Sequence, residues 1–255
     1  MTGKIDQEPI QKITDAASKA TQAESAPAPV RRYRALLFRG SLVLVVAAFA
    51  ILTFLIKTNP FFPIDLQITR SIQLINLPAF TFLMMVVSWP GFSPQSMIIT
   101  VLIVVVIYGM GLHWEAVMAL VAAVFSTGIN LLVKDLVQRP RPTPDLTTVY
   151  ATLTSYSFPS GHVMFYFSFF GFIWFLAFSL LKPSLKRTLP LVFFGCLIVL
   201  IGFSRIYLGE HWASDVLGAY LLSSLTLVAI IQTYIWGKPR FFVHQPAAAA
   251  EPEKS

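Results

Sequence analysis

The stretch SFPSGHVMFYFSFFGFIWFLAFSLL fills residues 157–181. After His162 it runs nineteen residues without a charge or a proline. A helix rises about 1.5 Å per residue, so roughly 20 apolar residues cross the ~30 Å hydrocarbon core of a bilayer. The stretch reads as a membrane-spanning helix with a titratable imidazole in its first turn. Two questions follow: how many such spans the chain has, and what a histidine does at the membrane boundary.

Hydrophobic residues make up 56% of the 255 and charged ones only 12%, which excludes an ordinary soluble domain. Further apolar runs at 40–56, 95–110, 115–134, 189–203 and 214–236 join 161–181 as six expected spans. Between the first two lies IDLQITRSIQLIN, with Ile64, Ile68, Ile72 and Ile75 on one helical face, the pattern of a helix lying in the interface. The next piece, PAFTFLMMVVSWPGF, is short and broken at Trp89-Pro90-Gly91, and reads as re-entrant. The expected fold class is an all-α integral membrane protein: six transmembrane helices with an interfacial and re-entrant helical segment between the first and second spans. Residues 1–39 read as a largely disordered cytosolic tail with a basic end, and 238–255 as a second disordered tail. The first apolar run begins only after Arg39, which suits a retained signal-anchor better than a cleaved leader. One cysteine, Cys196, makes neither an internal disulfide nor a thiolate metal site and reads as a small core residue.

Lys and Arg set the orientation. Arg31, Arg32, Arg34 and Arg39 precede the first span, Lys182, Lys186 and Arg187 join the fourth to the fifth, and Lys238 and Arg240 follow the sixth. Six spans bring all three clusters to one side, which the positive-inside rule makes the cytoplasm, with both termini there. This distribution along span ends is that of a membrane protein and argues against a nucleic-acid partner.

Lys134, Arg139, Arg141 and Arg205 then fall on the outer side, against the orientation signal, and ionisable groups at membrane depth mark function. Lys134 ends the third span, His162 opens the fourth, Arg205 ends the fifth, and His211 and Asp215 open the sixth. Ends and starts alternate, so these groups share one layer. Several cations with fork-like donors suit an oxygen-rich anion, phosphate above all. Ser160 and Gly161 stand at the start of the fourth span, where free N–H groups favour such an anion. The Ser160 hydroxyl is equally suited to capping the helix, and both roles are compatible. His211 and Asp215 lie one helical turn apart, so the carboxylate can hold one ring nitrogen and leave the other free as nucleophile. Two His and an Asp can also hold zinc, but the surrounding cations disfavour a metal.

Lys134-DLVQRP-Arg141-Pro142, Pro159-Ser160-Gly161-His162 and Ser204-Arg205-IYLGE-His211-WAS-Asp215 together resemble the three-part signature of the type 2 phosphatidic acid phosphatase superfamily. The resemblance covers about residues 61–236 and matches every defining position in order. It implies an integral-membrane phosphatase without metal or cofactor, acting on a lipid phosphate at the periplasmic or exterior face of the plasma (inner) membrane. His211 would carry the phosphoryl group, Asp215 would orient it, and His162 would protonate the leaving oxygen. Lys134, Arg141, Ser160, Gly161 and Arg205 would hold the phosphate. A phosphatidate-like monoester and an undecaprenyl diphosphate both suit this set, and phosphotransfer to another acceptor or a non-catalytic lipid-phosphate binder are the rival readings. The superfamily's vanadium haloperoxidases are soluble, which six spans oppose.

Residues beside the motifs carry their own expectations. Arg139 is expected to pair with lipid phosphates, Trp212 to anchor at the interface, and Glu210 to serve as a loop carboxylate. Ser204 suits phosphate binding or packing. The segment 143–158 is expected to overhang the pocket and set selectivity.

Overall fold

The computed structural model describes residues 27–241. The chain divides into two units, 1–44 and 45–255. The described part of the first, 27–44, is the opening of helix α1 (Ala28–Thr58), so Arg31, Arg32, Arg34 and Arg39 are helical. The tails expected at 1–39 and 238–255 otherwise lie largely outside the described residues.

The second unit continues α1 and adds α2 (Pro63–Gln73), α3 (Pro78–Ser88), α4 (Gln95–Gly109), α5 (His113–Val137), α6 (Gly161–Leu180), α7 (Leu185–Tyr207) and α8 (Ala213–Phe241). Every regular element among the described residues is helical. Helices α1, α5, α6, α7 and α8 are each long and apolar enough to cross a membrane. The apolar segment between α1 and α5 is broken, as expected, at Trp89–Gly91. Helix α4, at 15 residues, rises only about 22 Å and falls short of the hydrocarbon core by itself. Helices α3 and α4 reach the length and apolarity of a span only as a pair, and they are bent by 64° at the break, the geometry of a broken span or a re-entrant segment. Pro90 has no N–H to continue the helix, so Trp89–Gly91 form a single tight turn that Phe92 closes by donating to Trp89 O.

Helix α6 is the axis of the bundle. Over half of its apolar window is buried, 56%, against 39% or less for the other spans. Val163, Met164, Tyr166, Phe169 and Phe172 are wholly enclosed. A π-helical turn at Tyr166–Phe170 widens the helix, and the Tyr166 hydroxyl donates to Val87 O at 2.6 Å. The outer surface is as apolar as the core: Val105, Val124, Leu132, Phe193 and Val199 all face outward, as lipid allows. Cys196 faces outward with them and not into the core. At one end Glu115, buried, accepts from Tyr234 Oη at 2.9 Å and Lys238 Nζ at 2.5 Å, fastening the start of α5 to the end of α8.

The interfacial helix α2 turns its polar side inward. Asp65 and Thr69 are buried while Ile64 is 57% exposed. Ile68 and Ile72 still pack on the core, so the isoleucine stripe straddles protein and surroundings. Gln73, at the end of α2, donates to Thr148 O (2.7 Å) and Tyr207 O (2.9 Å), stitching the long α5–α6 loop to the end of α7. The turn from α7 to α8 needs Gly209: its φ is +66°, and a Cβ there would stand 2.0 Å from Thr148 O. Gly209→Ala combines a left-handed backbone with that clash, so it is expected to cost about 2 kcal/mol or more. Thermal unfolding in detergent should show a clear drop in Tm, and an unchanged Tm would mean the turn relaxes freely.

Candidate active site

Three turns converge at the end of the bundle opposite Glu115. The first follows α5, whose last turn is closed by Gln138 in left-handed conformation (φ 57°), its N–H on Lys134 O at 2.8 Å. That stop sends Arg139-Pro140-Arg141-Pro142 back across the bundle. The second is the start of α6, and the third joins α7 to α8. All eight residues expected at the site, Lys134, Arg141, Ser160, Gly161, His162, Arg205, His211 and Asp215, belong to these three turns.

His211 is 1% exposed and has a different neighbour beside each ring nitrogen. Nδ1 stands 3.4 Å from Asp215 Oδ2, close enough for an ion pair though not aligned as a hydrogen bond. Such contacts tighten when substrate arrives. Nε2 stands 3.2 Å from Arg141 Nη1. A guanidinium only donates, so Nε2 is the acceptor and carries the lone pair. Burial first, and then the charges of Arg141, Lys134 and Arg205, hold the imidazole's pKa well below its usual value, so it is neutral at pH 7. Asp215 is fixed at both oxygens: Oδ1 accepts from Arg139 Nη1 at 2.6 Å and Oδ2 from the Trp212 N–H at 2.9 Å.

His162 lies in the combined field of Arg205, His211, Arg141 and Lys134. Its ring meets Phe92 edge-on at 4.5 Å, and its Nε2 is buried with no partner in the chain. Ser160 Oγ is likewise buried and unpartnered, and it makes no cap hydrogen bond to α6. Of the two roles open to this hydroxyl, capping is therefore not the one it fills. A Cβ on Gly161 would stand 3.1 Å from Asn130 Oδ1, close enough to press on a side chain whose Nδ2 holds Pro159 O at 3.0 Å.

The cations are held in different ways. Arg141 donates to Ser155 O (2.6 Å) and Glu210 O (2.6 Å), and Lys134 donates to Tyr156 O. Burial lowers the Arg141 pKa to about 10, still charged at neutral pH. Arg205 is fully buried, pairs with Glu210 and Ser88, and leaves its Nε unpartnered. Counting Arg139, three buried cations and the half-buried Arg141 face three buried carboxylates, Asp65, Asp215 and Glu210. The cluster carries an unbalanced positive charge, as an anion site does.

Several neighbours depart from expectation. Arg139 does not reach outward to lipid: it is 1% exposed and clamped between Asp65 and Asp215. Trp212 is buried too, its Nε1 donating to Pro140 O at 3.0 Å, so it braces the motif turn and anchors nothing at the interface. Ser204 packs, with Oγ on Met84 O at 2.7 Å. The 143–158 loop does cover the site through the carbonyls of Ser155 and Tyr156. A cavity of about 220 Å³ runs between Arg141, Pro144, Leu153 and Glu210. Residues that the sequence did not assign to the site are Asn130, Asp65, Ser88, Gly91 and Phe92. Asn130 and Asp65 carried a signal, a polar group within an apolar helix. Among the described residues, no three His, Cys, Asp or Glu side chains are grouped so as to hold a metal ion.

The PAP2 superfamily model matches residues 113–238, which is α5 through most of α8 and all three motif turns. Phosphatidylglycerophosphatase B of Bacillus subtilis (strain 168) is 33% identical over 186 residues, covering 69% of this chain and 86% of the relative. The chain belongs to the PAP2 superfamily. Human dolichyldiphosphatase 1 is 34% identical to this PAP2 protein over 111 residues, 40% of the chain and 45% of the relative. The crystal structure of a transmembrane PAP2-type phosphatidylglycerolphosphate phosphatase from Bacillus subtilis superposes with a TM-score of 0.68 at 27% identity, covering 79% of this chain and 98% of that one. The protein is a multi-pass membrane enzyme, a lipid phosphate phosphatase of this superfamily.

One part of the site lies outside the matched region. A Cβ on Gly91 would fall 2.2 Å from His162 Cδ2, so the bend between α3 and α4 sets where that imidazole rests. Gly91→Ala should displace His162 and lower kcat by roughly tenfold or more, since positioning errors of about 1 Å cost rates of that order. Turnover by protein that remains monodisperse and folded is the measurement, and wild-type turnover would show the bend to be irrelevant to the imidazole.

Proposed function

We propose that this PAP2 enzyme hydrolyses a phosphate monoester of the phosphatidylglycerophosphate kind, through a phosphohistidine on His211, at the extracytoplasmic face. The observation that carries the reading is the state of His211: neutral, backed by Asp215, with its lone pair on Nε2 turned toward Arg141. A phosphate bound against Arg141 would lie in the path of that lone pair.

In the first step the Nε2–P bond forms as the ester P–O bond breaks. His162, as the imidazolium, gives its proton to the departing alkoxide. Charge building on the three equatorial oxygens meets Lys134, Arg141 and the free Arg205 Nε, with the Ser160 hydroxyl donating beside them. In the second step His162, now neutral, takes a proton from water as the water oxygen attacks phosphorus, and the N–P bond breaks. Inorganic phosphate leaves and His211 returns to its starting state. Asp215 stabilises the ring each time it carries extra positive charge.

Orientation rests on charge. The site lies at the C-terminal ends of α5 and α7 and the N-terminal ends of α6 and α8, whereas Lys182, Lys186, Arg187 and Lys238 stand at the other ends. The positive-inside rule assigns those ends to the cytoplasm and the site to the exterior. A second reading of the substrate, an isoprenoid diphosphate, is favoured by the match to a dolichyldiphosphatase.

Phosphate release in detergent with EDTA, from phosphatidylglycerophosphate beside undecaprenyl diphosphate, tests the reaction. His211→Ala should lower release by at least about a thousandfold, and wild type should accumulate an acid-labile, base-stable phosphoenzyme. Substantial turnover by His211→Ala would overturn the nucleophile, and preference for the diphosphate would select the second substrate. For the face, Thr154→Cys in a Cys196→Ala background is expected to react with an impermeant maleimide on intact cells. Reaction only after lysis would invert the orientation.

A further inference from the structure

The surroundings of Arg139 belong to none of the matched motif positions, yet they end on the carboxylate behind His211. Arg139 Nη1 donates to Asp215 Oδ1 at 2.6 Å and to Ser214 Oγ at 2.7 Å, Nη2 donates to Asp65 Oδ2 at 2.8 Å, and Nε donates to Pro60 O at 2.9 Å. Asp65 in turn accepts from the Ser214 N–H through Oδ1 at 2.8 Å and from Ser214 Oγ through Oδ2 at 2.5 Å. The guanidinium is flanked by the rings of Phe62 at 5.4 Å and Trp212 at 5.8 Å. Side chains of Asp65, Arg139 and Asp215 are each 2% exposed or less.

This geometry constrains Asp215 in two respects. A carboxylate can rotate about its last bond unless each oxygen has its own donor. Here Oδ1 belongs to Arg139, so Oδ2 alone faces His211 Nδ1. The guanidinium is also shared between two carboxylates. If Asp65 were neutral, the whole of the Arg139 charge would fall on Asp215 and compete with His211 for it. Asp65 further holds the first turn of α8 by the Ser214 N–H, and that turn carries Asp215. The helix α2 that supplies Asp65 otherwise exposes its apolar residue Ile64 and buries Asp65 and Thr69. A helix in that setting exposes an isoleucine and encloses an acid only when the acid has a partner.

We propose that Asp65 and Arg139 are positioning residues for the phosphoryl transfer: the interfacial helix α2, through Asp65 and Arg139, fixes the Asp215 carboxylate so that its Oδ2 is presented to His211. Neither residue touches the phosphate, so their loss acts on the transfer step and spares substrate binding. The inference rests on His211 being the nucleophile proposed above.

The test is steady-state and single-turnover kinetics on Asp65→Asn and Arg139→Lys, full-length in detergent, with the preferred lipid as substrate. Asp65→Asn is expected to lower kcat and the rate of phosphoenzyme formation by roughly ten- to a hundredfold, with KM changed by no more than about threefold. Asp65→Glu should recover part of the loss. In an Asp215→Asn background the same Asp65→Asn change should add little, because its target is already gone. A purely structural role predicts the opposite pattern: kcat per folded enzyme unchanged in Asp65→Asn, or full multiplication of the two losses. Either result overturns the proposal. Should Asn at position 65 prevent folding, Ser214→Ala removes one hydroxyl bridge and decides instead: lower kcat at constant KM supports the positioning role, and wild-type kcat refutes it. If His211→Ala itself turned over, the reading of the nucleophile would fail. A dead His211→Ala beside a fully active Asp65→Asn would remove only the present inference.

Discussion

Taking a charged side chain out of water costs several kcal/mol unless partners replace the lost hydration. This chain places four cations, Lys134, Arg139, Arg141 and Arg205, at the rim of a bundle whose sides face lipid. The surrounding architecture is a set of answers to that one demand. Arg139 is sandwiched by two carboxylates and two aromatic rings. Arg205 has Glu210 from the following turn and Ser88 from the end of α3. Arg141 and Lys134 rest on main-chain carbonyls of the covering loop. Arg139 and Arg205 are matched by carboxylates, whereas the carbonyl partners of Arg141 and Lys134 leave their positive charge in place, and the site keeps a net appetite for an anion. Breaking one partner of such a buried pair typically costs about 3–5 kcal/mol, which ties stability of the rim to the chemistry performed there.

The gross fold was legible because lipid leaves so few choices: long apolar runs must be helices, and their number and ends can be read from the chain. The motif residues were legible for a related reason, since charges at span ends oppose the orientation signal and demand an explanation. Arg139 was misread because a sequence shows a cation and not its partner. Asp65 sits seventy-four positions away on a helix whose isoleucine stripe suggested the reverse orientation. Trp212 was misread likewise, since an aromatic next to a span start usually sits at the interface, whereas here the tight α7–α8 turn folds it inward against Pro140. The bent α3–α4 pair shows the limit of counting apolar lengths. A proline at residue 90 signals a break, but not the 64° at which the two apolar pieces meet.

The region matched by the superfamily model starts at α5, and the helices before it fill complementary places. Helix α2 brings Asp65 to the Arg139 that holds the Asp215 carboxylate, and the α3–α4 bend brings Ser88, Gly91 and Phe92 against Arg205 and His162. The motif side chains come from helix ends and the turns beside them, and part of their lateral packing comes from these earlier helices. This division has a physical basis. Side chains at helix ends emerge from a rigid rod yet border a loop, so they need lateral support from elements crossing at another angle.

The contacts from the covering loop to Arg141 and Lys134 differ in kind from those around Arg139. Two are made by the main chain at Ser155 and Tyr156, and every amino acid carries the same carbonyl. Substitution at Tyr156 leaves its carbonyl support of the cations in place, whereas at Ser155 it also removes the Oγ that accepts from Arg141 Nη2 at 3.0 Å. Side chains along this part of the loop can therefore vary while the main chain continues to hold the two cations, so the wall of the pocket can change its surface without losing its grip on the charges.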